Sequence, residues 1–313
     1  MKIFIRADGG EAIGLGHIMR TLVLAKELEK SNLVTYVCLD EKQFDKGAEL
    51  VSQMGIPVIK IKEEKDILKY SGDLIIIDKY KLQEEYYKDL KATFGKVVSI
   101  DDNCELDYYY SDIIINQNIY AKELNYKSSP ETKLLLGSDY VMMRNEFNEK
   151  KTIKPKENIK DILITLGGSD SNNITEILIK ELLYSGYKLH VIVGNAFTNC
   201  EDLKKYSSEN VKLYRNAKMS EVMNKCDLAI TAYGSTIYEL CYMGIPSLGI
   251  ESAENQKRLK EYFSKNGIIT EVRFGSIIEQ IQKLNYKERM RLNSSMNKLI
   301  DGKGIKRIIS KLN

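Results

Sequence analysis

The sequence predicts an α/β protein built as two parallel-sheet domains in tandem, and three observations carry this. Short apolar runs without polar alternation, such as Ile3-Phe4-Ile5 and Leu74–Ile77, recur between stretches of helical periodicity. That is the pattern of parallel strands buried on both faces. A polar, lysine-rich segment with a proline, KKTIKPKENIK, breaks the alternation near mid-chain and reads as a linker. The alternation then restarts at Ile162–Leu166. The expected organisation is an N-terminal domain over 1–149, a linker over 150–160 and a C-terminal domain over 161–313, each half long enough to bury a core.

Taken in order, Ile3-Phe4-Ile5 is the first strand. A glycine-rich loop follows, ending in Gly14-Leu15-Gly16-His17, and Ile18, Leu22, Ala25 and Leu28 then recur at helical spacing up to Ser31-Asn32. The turn delivers His17 to the first turn of a helix, at the carboxyl edge of the sheet where ligands of open parallel sheets bind. A helix start favours anions and neutral imidazole, the form a general base requires. On position alone, His17 is either such a base or a turn histidine bonded to backbone. Asp40 would suit a ribose contact, but the third glycine of a dinucleotide fingerprint falls on Met19 and the loop is too long, so NAD is rejected.

Further strands are expected at Leu33–Cys38, Pro57–Ile61, Leu74–Ile77, Val97–Ile100, Ile113–Ile115 and Leu134–Leu136, with helices over Gln43–Met54 and Gln83–Lys91. Several strands end in polar residues: Asp78-Lys79-Tyr80, Asp101-Asp102-Asn103 and Asn116-Gln117-Asn118. Adjacent carboxylates such as Asp101 and Asp102 point apart, which argues against a glycosidase pair. Beyond the linker, strands are expected at Ile162–Leu166, Leu189–Val193, Val211–Tyr214, Leu228–Thr231 and Ser247–Ile250. Residues 287–312 read as basic amphipathic helices with a solvated face.

Composition excludes whole classes. Lys plus Arg number 47 against 44 Asp plus Glu, so no basic field points to nucleic acid or a membrane surface. Five scattered cysteines without a C-x-x-C pair suit reduced thiols and a cytoplasmic location. Two distant histidines offer no metal cluster, and no stretch has the length of a membrane span. Arg6 and Asp8 interrupt the N-terminal apolar run, unlike a signal peptide. No metal and no cofactor are expected.

The run Arg6-x-Asp8 followed by Gly14-x-Gly16-His17-x-x-Arg20 resembles the opening of the UDP-2,4-diacetamido-2,4,6-trideoxy-β-L-altropyranose hydrolases of pseudaminic acid biosynthesis, and of the related spore-coat polysaccharide proteins. That resemblance implies two Rossmann-like domains of GT-B type with a cleft between them, and a catalytic role for His17. It also implies substrate contacts from Arg6, Asp8, Gly14, Gly16 and Arg20. Asp78-Lys79-Tyr80 stands where the family commonly has Asp-His-Tyr, so Tyr80 is expected at the sugar and Lys79 is a departure that bears on which sugar is bound. Gly137-x-x-Tyr140-x-x-x-Arg144-x-Glu146-Phe147 is also similar to the family's segment, with Arg144 as a ligand contact.

Two loops of the second half carry the nucleotide expectation. Gly167-Gly168-Ser169 lies between a strand and a helix, where backbone N–H groups cradle phosphate. The second loop, from Thr231 through Gly234, Ser235, Thr236 and Glu239 to Gly244-Ile245-Pro246, is similar to the diphosphate- and ribose-binding segment of UDP-dependent GT-B enzymes. Those include the lipid-linked N-acetylglucosaminyltransferase of peptidoglycan synthesis. The resemblance gives Glu239 to the ribose hydroxyls; the spacing Thr236-x-x-Glu239 also fits a capping box. Asn255-Gln256 resembles the family's Asn-Gln that faces the sugar and phosphates. The resulting expectation is a metal-independent UDP-sugar hydrolase in which water held by His17 attacks the anomeric carbon with inversion. A GT-B glycosyltransferase and a non-catalytic nucleotide-sugar binding module are the alternatives.

Overall fold

A computed structural model describes residues 1–10, 13–147, 153–168, 170, 172–194, 197 and 200–312. The chain forms two compact units, 1–144 with 303–313, and 145–302.

In the first unit the strands are β1 (Lys2–Ala7), β2 (Leu33–Leu39), β3 (Val58–Ile61), β4 (Leu74–Asp78), β5 (Val97–Ile100), β6 (Ile113–Asn116) and β7 (Lys133–Leu136), with helices α1 (Gly16–Leu28), α2 (Asp45–Gln53) and α3 (Glu84–Thr93). The sheet order is β3-β2-β1-β4-β5-β6-β7, and every pair is parallel. The order reverses between β1 and β4, which opens a crevice at their carboxyl ends. Strand residues alternate between two cores. Ile3, Ile5, Leu74, Ile76, Val98 and Ile100 face one of them, with α1 residues such as Ile18 and Leu24. Phe4, Ile75, Ile77 and Val97 face the other, with Tyr86, Tyr87 and Leu90 of α3.

The second unit repeats the plan with β8 (Asp161–Thr165), β9 (Lys188–Val193), β10 (Val211–Arg215), β11 (Leu228–Ala232), β12 (Ser247–Ile250) and β13 (Thr270–Glu271). Its helices are α4 (Ile174–Leu182), α5 (Cys200–Lys204), α6 (Met219–Met223), α7 (Thr236–Met243), α8 (Lys257–Lys265), α9 (Ile277–Lys283) and α10 (Tyr286–Leu299). The order β10-β9-β8-β11-β12-β13 places the reversal between β8 and β11.

Two expected boundaries are corrected. Part of the expected linker, 150–152, lies outside the described residues, but 153–157 is fastened to the second unit. Arg289 of α10 donates to the carbonyls of Lys156 and Glu157 at 2.7 and 2.6 Å, and Asn293, one turn on, donates to that of Ile153 at 2.7 Å. Lysine and proline gave the segment a linker's composition, but its backbone is held by side chains remote in sequence. The expected 161–313 domain also loses its end. Helix α11 (Gly304–Leu312) belongs to the first unit, where Ile308 and Leu312 join the core of α1 and β1. Ile305, Ile308, Ile309 and Leu312 form the apolar stripe expected of an amphipathic helix, and it is buried against the first unit rather than the second.

Ile308 is fully buried. Its replacement by alanine is expected to destabilise the first unit by roughly 2–5 kcal/mol. Amide exchange followed in β1 and α1 checks this: protection falls there while the second unit is unaffected.

Candidate active site

The first unit carries two ionic networks at the carboxyl edge of its sheet, one on each face. Arg6 and Asp8 lie two residues apart and therefore share a face. The Arg6 guanidinium pairs with both oxygens of Asp8 at 2.7 and 2.6 Å, with Glu64 through Nε and NH2 at 3.0 and 2.7 Å, and with the carbonyl of Val37 at 3.2 Å. All five of its N–H donors are engaged, and Arg6 has no exposed surface. Lys79 closes the quartet, its Nζ 2.8 Å from both Asp8 and Glu64, and the Leu39 N–H donates to Asp8 at 2.9 Å. The expectation that Arg6 and Asp8 contact substrate is corrected: their hydrogen-bonding capacity is taken up within the protein. Lys79 is a structural member of this quartet.

The other face carries His17. Gly10 sits so close to the turn before α2 that a Cβ would strike the Gln43 carbonyl oxygen at 1.7 Å, which seats the glycine loop. His17, in the first turn of α1, puts Nδ1 2.6 Å from Oδ1 of Asp78, the last residue of β4. This bond ties the first turn of α1, which follows β1, to the end of β4 at the crevice. Asp78 is 1% exposed and also receives Arg20, through Nε to Oδ2 at 2.6 Å and NH2 to Oδ1 at 2.5 Å. Arg20 reaches on to Asp102 at 2.8 Å, and Asp102 accepts from Tyr80 Oη at 2.5 Å and Asn118 Nδ2 at 2.7 Å. The Tyr80 ring packs edge-on to His17 with centroids 4.6 Å apart.

Arg20 was expected at the substrate; instead each of its guanidinium nitrogens engages Asp78 or Asp102. Asp101 points away from Asp102, as expected of neighbours, and accepts from Tyr126 and the Cys104 N–H. Burial raises the Asp101 carboxyl above its ordinary value. Burial pushes Asp78 and Asp102 the same way, but the charge of Arg20 outweighs it and holds both below the ordinary value. Ionised Asp78 at 2.6 Å places the proton of a neutral His17 ring on Nδ1, and in that form Nε2, unpartnered among the described residues, is the acceptor. Tyr80 also borders a cavity of about 440 Å³ lined by Tyr87, Ile100, Asp101 and Tyr109. Gly14 turns the loop with φ +73°, and a Cβ on Gly16 would meet nothing within 4 Å. Arg144 is half-buried at the end of this unit.

In the second unit the two expected nucleotide loops flank the sheet's reversal. Gly167 and Gly168 follow β8 and are exposed; Ser169 lies outside the described residues. Gly194, after β9, supports them so closely that a Cβ would lie 2.4 Å from the Gly168 carbonyl oxygen. The start of α4 is not open to phosphate, because Asp170 accepts from Ile174 N at 2.8 Å and Thr175 N at 2.7 Å. After β11, Gly234 borders open space, Ser235 is exposed and α7 begins at Thr236. The N-cap is Ser235 and makes no side-chain cap bond, so Glu239 falls one place beyond the capping-box position. Glu239 is 8% exposed. Gln256 accepts from the Ser252 N–H at 3.0 Å and shapes the turn that carries exposed Asn255.

The second histidine, His190, lies apart from these loops, bonded to Asp161 at 2.8 Å and Tyr214 at 2.9 Å. All five cysteines are free. Among the described residues no group of three or more His, Cys, Asp or Glu is placed to hold a metal ion, and no helix is long and apolar enough to cross a membrane.

Known structures with this architecture include Acinetobacter baumannii MurG, with a TM-score of 0.68 at 12% identity over 99% of this chain and 98% of that one. The calicheamicin glycosyltransferase CalG4 gives 0.66 at 13% identity over 99% and 96%. The fold is GT-B. Within that fold, the chain is 26% identical to the UDP-2,4-diacetamido-2,4,6-trideoxy-β-L-altropyranose hydrolase of Campylobacter jejuni over 88% of its own length and 100% of the relative's. It is 24% identical to the spore coat polysaccharide biosynthesis protein SpsG of Bacillus subtilis, covering 98% and 96%. It is 33% identical to the uncharacterised protein MJ1062 of Methanocaldococcus jannaschii over 85% of this chain, and it spans 58% of that relative's length. No protein-family model matches the chain. The resemblance to the hydrolases and SpsG therefore runs through both units of this GT-B chain.

Asp8, Glu64, Asp78 and Asp102 are all held below the ordinary carboxylate value, because Arg6 and Arg20 outweigh the opposing effect of burial. A carboxylate depressed on folding stabilises above its unfolded value and loses that contribution as pH falls through its folded value. Asp101, raised by burial, works the other way and gains stability on protonation, so stability of the first unit should not fall between neutral pH and about 4 and should decline below it. Urea unfolding across that range checks the slope, and Glu64→Gln should make it shallower.

Proposed function

We propose that the chain is a UDP-sugar hydrolase acting on a UDP-linked 2,4-diacetamido-2,4,6-trideoxy sugar, or one close to it. The observation that carries this reading is the His17–Asp78 pair across the sheet reversal, with Nε2 of His17 turned from its buried partners. The name of the Campylobacter relative, matched over its whole length, supports the substrate class.

In the proposed reaction, Asp78 fixes the tautomer of His17, and Nε2 takes a proton from water as its oxygen attacks C1 of the sugar. The C1–O bond to the diphosphate breaks with inversion, and UDP leaves with the bonding electrons. UDP is a good leaving group, so positioning the water and stabilising the departing charge suffice. The second unit holds UDP: N–H groups at Gly167, Gly168, Gly234, Ser235 and Thr236 meet the diphosphate. Glu239 takes the ribose hydroxyls, and Asn255 and Gln256 take the phosphates and sugar. Tyr80 borders the sugar. The reaction as written needs no divalent metal, so EDTA should leave its rate unchanged. A glycosyltransferase, the class of the GT-B neighbour CalG4, would differ in using an acceptor hydroxyl for water.

UDP release from candidate UDP-sugars without acceptor is the deciding assay; turnover only with an acceptor would favour the transferase. His17→Asn is expected to lower kcat by roughly a hundred- to ten-thousand-fold, with UDP affinity and thermal stability near those of the unmodified chain. Full activity in that variant would overturn the mechanism.

Glu239→Ala should weaken UDP binding, read by calorimetry, while kcat at saturating substrate changes less. Unchanged affinity in the folded variant would remove Glu239 from the nucleotide site.

A further inference from the structure

We propose that Asp102, acting through Arg20 and Asp78, is a positioning residue that supplies the negative charge balancing His17 when His17 takes up a proton. The inference rests on the reading of His17 as the base.

The geometry makes a continuous relay. His17 and Arg20 are three residues apart on α1, so both project toward the same strand ends. Oδ1 of Asp78 lies within 2.6 Å of His17 Nδ1 and 2.5 Å of Arg20 NH2, so one oxygen serves both groups. Arg20 NH1 then binds Asp102, 82 residues further along the chain, at 2.8 Å. The charged and titratable groups facing the His17 ring are Asp78 and Tyr80 from the end of β4, Arg20 from its own helix and, through Arg20, Asp102. From β2, Tyr36 reaches the next turn of α1 through Thr21 at 3.0 Å.

The charge count gives the relay its direction. With neutral imidazole, two carboxylates, buried Asp78 and half-buried Asp102, face one guanidinium, and the cluster carries one surplus negative charge. When His17 accepts the proton of the attacking water, the surplus is cancelled. The relay therefore favours the state formed as the water is deprotonated, in a site where few water dipoles screen it. Asp78 alone would not do this, because its charge is already matched by Arg20. Asp102 makes the difference, and neutral donors, Tyr80 and Asn118, hold it without cancelling its charge.

A purely structural Asp102 would matter for stability only. Asp102→Asn removes the surplus charge and keeps the shape. The acid limb of its kcat–pH profile should move to lower pH by about one unit, as expected for loss of a nearby opposite charge. Its kcat at neutral pH should fall about tenfold, with KM and UDP affinity unchanged, because a weaker base accepts the proton less readily. Asp102→Glu should restore the limb. The same displacement can be read without substrate by ¹⁵N NMR of the ring nitrogens, since the chain has two histidines and His17→Asn assigns them.

If Asp102→Asn does not fold, Tyr80→Phe keeps the ring against His17 and removes one hydrogen bond from Asp102. That variant should move the limb and the ring titration to higher pH by a few tenths of a unit. A limb and ring titration unmoved in the folded variants would overturn the relay while leaving the hydrolase reading intact. Absence of UDP release by the unmodified chain would overturn the hydrolase reading, and the NMR titration would still decide the relay.

Discussion

The first unit depends on one requirement: every charge buried at the carboxyl edge of its sheet must have a partner. Arg6 meets it with all five donors, tying the ends of β1 and β2 to Glu64, after β3, while Asp8 and Glu64 in turn hold Lys79, after β4. Breaking such a cluster strands a buried charge, at a cost of several kcal/mol. The strand ends are thus held in register by ionic contacts on one face. The opposite face is left to His17 and Arg20 of α1, Asp78 at the end of β4 and Asp102 just after β5, at strand ends that are already fixed. A site whose geometry matters to a few tenths of an ångström gains from such a support.

Both units place their distinctive loops at the reversal of strand order, although the chemistry at each differs. In the first, a histidine–carboxylate bond from α1 to the end of β4 stands at the reversal. In the second, it is flanked by glycine turns whose close packing is backbone on backbone, as at Gly194.

Much of this was legible in the sequence. Unalternating apolar runs located the longer strands, and the glycine turn placed His17 in the first turn of α1. The GT-B fold followed from the resemblance. What escaped had physical reasons. The partner of His17 is Asp78, 61 residues away, and no local spacing announces a contact of that range. Asp78 and Asp102 were visible as polar strand ends, but such residues are usually caps. Arg6 and Asp8 were recognised as a motif and read as ligand contacts. Their period-two spacing showed only that they share a face, and Glu64, which completes their pairing, was not suspected. The two residues of β13 are too few to show a pattern. The amphipathic pattern of α11 was legible, but not that its isoleucine stripe packs on the first unit, from which the whole second unit separates it in the chain.

That stripe has a consequence for how the protein is made. Residues 1–144 leave the ribosome long before 303–313, yet Ile308 and Leu312 belong to the same core as Ile3 and Leu24. During synthesis the first unit must wait with a gap in its apolar layer while the whole second unit is produced and folds. Its surface over α1 is exposed for that interval, the period in which a chaperone would bind it and a nascent neighbour on the same message could aggregate with it. The order of translation and the order of folding are therefore opposed in this chain: the unit that begins first is the one that finishes last.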